Sequence, residues 1–292
     1  NAAISGFILD PDRKKMSKSK GNVTTPMDLL VEHGSDSVRY WAASGRLGID
    51  TALEQGQMKV GRRLAIKLLN ASKFALGHDV RRHAEPGEVT ERLDQAMLAG
   101  LADVVAQATS AMDAYEHQRA LEVTEAFFWT FCDDYLELVK ARAYGDVTHD
   151  DPAAASAHAA LGIALSVLQR LFAPILPFAT EEVWSWWQQG SVHRASWPTV
   201  EPLRAAAGDA TPATLAVVGQ VLSAVRKAKS EAKQSMRAEV SSVTVSGSPG
   251  QLALLEAGRG DLCNAGRIQD LELIAGDGTI AVDVVLADAQ AR

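Results

Sequence analysis

Residues 93–115 read LDQAMLAGLADVVAQATSAMDAY, and this stretch decides the fold class. Apolar side chains return every three or four residues over about six helical turns. The stripe consists of Leu93, Met97, Leu101, Val104, Val105, Ala108, Met112 and Tyr115. It is wider than a coiled-coil seam and is typical of a helix in a packed bundle.

The same period continues on both sides, from Glu54 to Gln189. Shorter stripes with this spacing are Leu64/Leu68/Ala71/Ala75, Leu121/Phe128/Phe131/Tyr135/Leu138/Arg142, Leu161/Leu165/Leu168/Phe172 and Val183/Trp184/Trp187. Linkers at 77–90 and 145–152 are rich in Gly, Asp, His and Pro, as loops are. We therefore predict a helical domain over residues 54–210, with Trp184 in its core and 191–210 as an irregular strap.

Beyond residue 210 the pattern changes. Thr211-Pro212 starts a helix that runs to about Lys233, after which the apolar period becomes two. The alternating positions are Val243/Val245, Leu271/Leu273 and Ile280/Val282/Val284/Leu286, with a short helix between Ser248 and Gly258. The fold prediction is therefore mainly α, with a small α+β module over 211–292.

Before the helical domain, residues 10–22 read DPDRKKMSKSKGN. Its cations are Arg13, Lys14, Lys15, Lys18 and Lys20, interrupted by the hydroxyls of Ser17 and Ser19. A polar, positive loop suits a phosphate-rich ligand, although a nonspecific basic linker has the same composition. Two short helices follow, one from Thr25-Pro26 to Gly34 and one capped by Ser35, so residues 1–53 form a first segment.

Charge is distributed unevenly along the 292 residues, whose net charge is −7. Residues 1–82 hold 14 Lys and Arg against 8 Asp and Glu, whereas the remainder holds 15 against 28. A second basic stretch contains Arg226, Lys227, Lys229, Lys233 and Arg237, opposed only by Glu231. Because screening makes local fields decide polyanion binding, both stretches are nucleic-acid candidates, with an ordinary solvated face as the alternative.

Several protein classes are disfavoured. No uninterrupted run of eighteen apolar residues predicts a membrane span, and no signal region opens the chain. Cys132 and Cys263 have no partner at metal spacing, so we expect no zinc, no other metal site and no disulfide framework. Two cysteines fit a reducing cytoplasm. The chain begins with Asn1, as if cut from something larger.

The loop carries a specific resemblance. Residues 15–19 match the KMSKS loop of class I aminoacyl-tRNA synthetases, and residues 34–44 resemble the following helix in synthetases for branched aliphatic amino acids. Residues 69–74 are similar to a segment of valyl-tRNA synthetases. Residues 129–137, 174–184 and 225–231 resemble blocks of their anticodon-binding domain and the helix after it.

The resemblance implies an enzyme that activates valine with ATP and Mg²⁺ and transfers it to tRNA. It assigns catalysis to Lys15 and Lys18, whose charges oppose the negative charge that grows on the leaving phosphates. The implied ATP-binding set is Lys15, Met16, Ser17, Lys18 and Ser19. Arg62, Arg63 and Lys67 lie on one helix face and are candidate tRNA contacts, as is Arg142 at the end of an apolar stripe. In the loop, Gly21 leaves the backbone free to bend and Asn22 tolerates unusual backbone angles.

Two family features are missing from the chain, the HIGH tetrapeptide and the editing insertion. The resemblance therefore implies a C-terminal segment, inactive alone, whose partner is the N-terminal catalytic and editing portion. Two alternatives stay open: a standalone tRNA-binding or protein-interaction module without catalysis, and the equivalent segment of an isoleucyl enzyme. Asn70-Ala-Ser and the lack of a Cys-rich tail favour valine.

Overall fold

The computed structural model describes residues 4–78, 80, 86–145, 151–276 and 278–287. Its helices are α1 (Pro26–His33), α2 (Ser35–Ala43), α3 (Gln55–Leu76), α4 (Arg92–Asp113), α5 (His117–Thr130), α6 (Leu136–Ala143), α7 (Pro152–Phe172), α8 (Pro177–Ser185), α9 (Glu201–Ala207), α10 (Ala213–Glu231), α11 (Pro249–Glu256) and α12 (Arg259–Gly266). Its strands are β1 (Ile8–Leu9), β2 (Thr51–Ala52), β3 (Val240–Gly247), β4 (Ile268–Ala275) and β5 (Ala281–Leu286). This architecture confirms the predicted mainly α fold with a small α+β module.

The chain divides into two compact units. One comprises Asn1–Arg81, Ala102–Phe128 and Gly162–Val200, and the other comprises Arg82–Leu101, Trp129–Leu161 and Glu201–Arg292. Both units are discontinuous in sequence because α4, α5 and α7 contribute residues to each. The predicted boundaries at 53/54 and 210/211 stay a prediction.

In the first unit, α1, α2 and α3 share an apolar cluster of Leu29, Trp41, Leu53 and Met58. Helix α3 lies very close to α2, since a Cβ added at Gly61 would stand 2.6 Å from the Cβ of Tyr40. A glycine is therefore needed at this crossing. The two-residue strands β1 and β2 pair in parallel and hold the start of the basic loop beside the start of α3.

A polar side chain caps α8 within the same unit. The carboxylate of Asp36 accepts hydrogen bonds from the backbone N–H groups of Phe178 (3.1 Å) and Ala179 (2.7 Å). This satisfies two donors that every helix N-terminus leaves open. Ser35 was predicted to cap α2, but the N-cap of this helix is Gly34, at φ 84°. Trp184 is buried against Ala173 and Val192, as predicted.

In the second unit, β3 is the central strand, parallel to β4 and antiparallel to β5. Helices α10, α11 and α12 pack beside this sheet. The helix predicted between Ser248 and Gly258 is α11, with Ser248 as its N-cap. Gly258 is in addition the N-cap of α12, a helix that was not predicted. Residues 201–207 of the predicted strap form α9. This segment contains three alanines and three charged or proline residues, so it shows no apolar period from which the helix could be predicted.

The helix predicted over 121–142 is interrupted in its hydrogen bonding. Residues Phe131–Tyr135 form a π-helical segment between α5 and α6. Within the second unit, the fully buried Tyr135 donates its hydroxyl to the carboxylate of Asp94 at 2.8 Å. A single wider turn of this kind changes which side chains face the core, and sequence periodicity does not reveal it.

Helix α7 (Pro152–Phe172) is the one described segment that is long and apolar enough to cross a membrane by length and composition. However, 78% of its apolar window is buried inside the protein. Its surface is therefore already covered by other parts of the chain, as in a core helix.

Candidate nucleotide loop and nucleic-acid surfaces

The basic loop is closed at its base by two side chains. Asp10 accepts hydrogen bonds from the Lys14 backbone N–H (2.7 Å) and from the Asn22 side-chain amide (2.8 Å). Asn22 in turn accepts from the Ser17 backbone N–H at 2.9 Å. We call this pair, Asp10 and Asn22, the loop clasp. It ties the first residue of the loop to the last and leaves the intervening cations outside.

The clasp fixes the charge of Asp10. The backbone hydrogen bond from Lys14, followed by that from the Asn22 side chain, lowers the pKa of this carboxyl below its ordinary 3.8, against the opposing effect of burial. Asn22 itself does not adopt a left-handed backbone; Gly21 (φ 67°) and Arg13 (φ 61°) do. The expectation for Gly21 is therefore met, whereas Asn22 works through its side chain.

Lys15 and Lys18, the two predicted catalytic residues, are both exposed on the loop. The ammonium of Lys15 lies 5.5 Å from the ring centroid of Phe7, a cation–π contact. Lys18 opens a short 3₁₀ turn, Lys18–Lys20, that Gly21 closes by donating its N–H to the Lys18 carbonyl at 3.1 Å. No ion pair in the described part of the chain engages either lysine, so their charge is available to a ligand.

The other predicted ATP-binding residues lie between these lysines. The hydroxyl oxygens of Ser17 and Ser19 are 3.3 Å apart, and Met16 is half-buried. Sequence reasoning missed Asp10 as a member of this site. The signal was present, because Asp10 and Asn22 flank the cationic run, and an acid and an amide at the two ends of a loop can bond to each other.

Another basic surface, separate from the loop, lies along α3. Arg62 and Arg63 are exposed and line an open cleft of about 650 Å³ together with Lys59, Ile66 and residues Glu32, His33 and Gly56. The arrangement places three cations within about one turn of one helix. Lys67, the third predicted tRNA contact on this helix, is half-buried and does not line the cleft.

The structure does not support Arg142 as a tRNA contact, because this side chain is not on a free surface. Its guanidinium donates to both carboxylate oxygens of Asp94 and of Asp261, all at 2.8 Å, and to the carbonyl of Ala153 at 2.9 Å. Only 12% of the side chain is exposed. All five of its N–H groups can be accounted for inside the protein, so none remains for RNA.

The buried cluster around Arg142 shifts the pKa values of its charged members. Burial works against the charge of Arg142, but the hydrogen bonds to Asp94 and Asp261 outweigh it and raise the pKa of the guanidinium. Burial raises the pKa of Asp261, with Arg142 opposing. Ser156 adds a hydrogen bond to Asp94 at 2.7 Å. The cluster holds one cation between two carboxylates and is a structural element.

The paired acids of α8 are also structural. Glu181 accepts from the Ser191 hydroxyl and the Val192 N–H, both at 2.9 Å. Glu182 accepts from the Trp186 indole at 3.0 Å. Among the residues that the structure describes, no group of three or more His, Cys, Asp or Glu side chains is placed to hold a metal ion.

Comparison with known proteins identifies the family. The family described as the anticodon-binding domain of tRNA ligase matches residues 94–245, and the family of class I tRNA synthetases (I, L, M and V) matches residues 1–54. The chain therefore belongs to the tRNA ligase family that carries this anticodon-binding domain.

The relatives are similar over almost the whole chain. A valine–tRNA ligase of Thermobifida fusca is 63% identical over 99% of the chain, one of Leifsonia xyli is 54% identical over 99%, and one of Cutibacterium acnes is 46% identical over 100%. The chain spans about a third of the length of each: 32%, 33% and 33%.

The fold itself is found in a solved structure, the LeuRS of Agrobacterium radiobacter K84 in a ternary complex with tRNA and LeuAMS. The TM-score is 0.56 at 20% sequence identity, over 68% of this chain and 24% of that one. At this identity the match supports the fold alone.

Proposed function

We propose that this chain supplies the KMSKS loop and the tRNA-binding surfaces of a valine–tRNA ligase, which activates valine with ATP and transfers it to tRNA. The observation that carries the proposal is the identity of 63% with a valine–tRNA ligase over 99% of the chain, which includes the loop. The clasp of Asp10 and Asn22 supports it further, because it presents the loop cations outward from a fixed base.

The proposed chemistry of the loop is electrostatic. When the valine carboxylate attacks the α-phosphate of ATP, negative charge grows on the pyrophosphate that leaves. Lys18 and Lys15 stabilise this charge, and the hydroxyls of Ser17 and Ser19 donate to phosphate oxygens. The triphosphate would bring Mg²⁺ with it, since Mg²⁺ is commonly bound through substrate phosphates and few protein ligands.

The larger enzyme would dock on the first segment of the chain. Large apolar side chains that stay exposed between residues 4 and 49 are Ile4, Phe7, Ile8, Val23, Met27, Val31, Leu47 and Ile49. This density of exposed apolar residues is typical of a surface that another domain covers. A catalytic and editing portion, corresponding to the unmatched length of the relatives, is the proposed occupant, in a cytoplasmic enzyme.

The proposed tRNA contact in this unit is the cleft beside α3. Lys59, Arg62 and Arg63 are exposed on one stretch of helix and can each meet a backbone phosphate. Such contacts position RNA without reading its sequence. Binding is then expected to weaken with salt, with a log–log slope of about −0.7 to −0.9 for each phosphate contacted.

The proposal is tested by restoring the enzyme. The chain is combined with the remaining part of a valine–tRNA ligase relative, and valine-dependent exchange of pyrophosphate into ATP is measured. We expect exchange with the unaltered chain, about 10²- to 10³-fold less with Lys18→Ala, and nearly full exchange with the neighbouring control Lys20→Ala. Equal rates for the two variants would remove Lys18 from the proposed mechanism.

Two further outcomes bear on the alternatives. If the chain binds tRNA but never supports exchange, the standalone binding module is favoured. If exchange depends on isoleucine and not on valine, the amino-acid assignment is wrong while the loop chemistry stands.

A further inference from the structure

The second unit contains a basic cleft of about 500 Å³ beside the loop that joins α10 to β3. Its cationic lining residues are Lys140, Arg226, Lys229, Arg237 and Arg267. Glu137 is the one carboxylate among the residues that line it. Three of the five cations pair with acids: Lys140 with Glu137 at 3.4 Å, Arg226 with Asp134 at 3.9 Å, and Arg267 with Glu239. The positive charge of the cleft that no ion pair in the described residues offsets therefore belongs to Lys229 and Arg237.

Lys229 forms the floor of this cleft, and its charge has no carboxylate partner. The residue is only 1% exposed, and its ammonium donates to the carbonyl of Gly266 at 2.8 Å and of Met236 at 3.2 Å. No ion pair involves Lys229 within the described ranges. A buried ammonium with only neutral acceptors is costly, so the site would be stabilised by an anion nearby.

The surroundings of Lys229 oppose its charge. Burial lowers the pKa of the ammonium, and the charge of Arg267 lowers it further, with Glu239 acting in the opposite direction. Arg267 (φ 55°), which lines the cleft, and Lys233 (φ 54°) have left-handed backbones at the C-terminal ends of α12 and α10, as is common where helices end.

The arginines at the rim of the cleft differ in whether their guanidinium groups are already bonded to the protein. Arg226 donates to the carbonyl of Asp133 at 2.7 Å, and Arg267 bonds to Glu239 at 2.7 Å, so both guanidinium groups are held in place. Arg237 is exposed, and in the described part of the chain its guanidinium makes no hydrogen bond or ion pair. This arginine is therefore the rim cation with the most donors available to a ligand.

Two large side chains accompany the cations. Tyr144 is 67% exposed and Met236 is 50% exposed, and both line the same cleft. A cationic groove flanked by an exposed aromatic ring matches a nucleotide, whose phosphate meets the charge while its base stacks on the ring. An acidic peptide offers carboxylates but no planar base for Tyr144.

We propose that this cleft binds a backbone phosphate of RNA, with Arg237 as the direct contact, Lys229 as the buried charge beneath it and Tyr144 as the surface for the adjoining base. The assignment rests on the proposed function, since tRNA is the RNA in question. It adds a site on the second unit to the α3 cleft of the first. The basic stretch 226–237 is then a binding element in part, with Lys227 outside it.

The test compares two cations of the same basic stretch. Arg237→Ala removes a rim cation, whereas Lys227→Ala removes an exposed α10 lysine that pairs with Glu231 at 3.8 Å and does not line the cleft. Affinity of the whole chain for a tRNA transcript is measured between about 50 and 200 mM salt. We expect Arg237→Ala to weaken binding about three- to tenfold and to reduce the steepness of the salt slope by about 1.

Lys227→Ala is expected to change both quantities by much less, and Tyr144→Ala to weaken binding without changing the slope, because a stacking contact releases no counterion. Equal effects of Arg237→Ala and Lys227→Ala, with binding by the unaltered chain intact, would overturn this site while leaving tRNA binding in place. No binding by the unaltered chain would overturn both proposals. Thermal unfolding of each variant confirms that the exposed substitutions leave the fold unchanged.

Discussion

The loop clasp and the Arg142 cluster both organise charge, but in opposite ways. In the loop, Asp10 accepts hydrogen bonds from a backbone N–H and a side-chain amide, and Lys15 and Lys18 stay exposed to solvent. In the cluster, Arg142 is enclosed by Asp94 and Asp261 and has no donor left. The comparison shows that Lys15 and Lys18 stay available to a ligand because the nearby carboxylate of Asp10 is bonded to other groups, whereas Arg142 is occupied by its acids.

The largest effect is expected at the buried cluster. Arg142→Met leaves Asp94 and Asp261 without their cation, and we expect a loss of about 3–5 kcal/mol in the free energy of unfolding. Urea denaturation of the whole chain measures it. Lys18→Ala is the matched control, since an exposed lysine without an ion pair should change stability by less than about 0.5 kcal/mol. A change below about 1 kcal/mol for Arg142→Met would contradict the structural assignment.

A smaller, local effect is expected at the clasp. Asn22→Ala removes the hydrogen bonds to Asp10 and from Ser17 without touching a core residue. The loop should then open more often, and trypsin should cleave at its lysines about fivefold faster or more. The control Asp12→Asn removes only an exposed pair with Lys14 at 3.6 Å and should leave the rate near that of the unaltered chain. If both variants are cleaved equally fast, the clasp does not hold the loop.

The smallest effects are opposite pH dependences. The pKa of Asp261 is raised, so its contribution to stability is fully present below 3.8 and is lost as pH rises through the folded pKa. The pKa of Asp10 is lowered, so its contribution is present above 3.8 and is lost as pH falls through the folded pKa.

Two measurements separate these dependences. The unfolding free energy of the unaltered chain minus that of Asp261→Asn should fall as pH rises from about 3.8. The NMR signal of the Asn22 side-chain amide should shift only when pH drops below 3.8. The same sign of pH dependence at both acids would contradict the comparison.

Much of the fold was predictable because local patterns persist over long stretches. The apolar stripe over 93–115 is helix α4, and the period-two residues around Val243, Leu271 and Val282 are β3, β4 and β5. The places where prediction failed depend on partners far along the chain. At Gly258, the N-cap of the unpredicted helix α12, an added Cβ would stand 2.7 Å from a methyl carbon of Val218, which lies on a different helix, α10.

The functional residues likewise divide into those that the sequence identifies and those whose role depends on the tertiary structure. The residue types and order in KMSKS fix which chemistry is available, so the sequence by itself determined the loop, its charge and the family resemblance. Only the tertiary structure decided that Arg142 is internal, because its partners lie 48 and 119 residues away. It likewise decided that Lys229 is buried while Lys227 is not. The physical reason is that a charge acquires its role from the groups that folding brings beside it, and separation along the chain does not encode those groups.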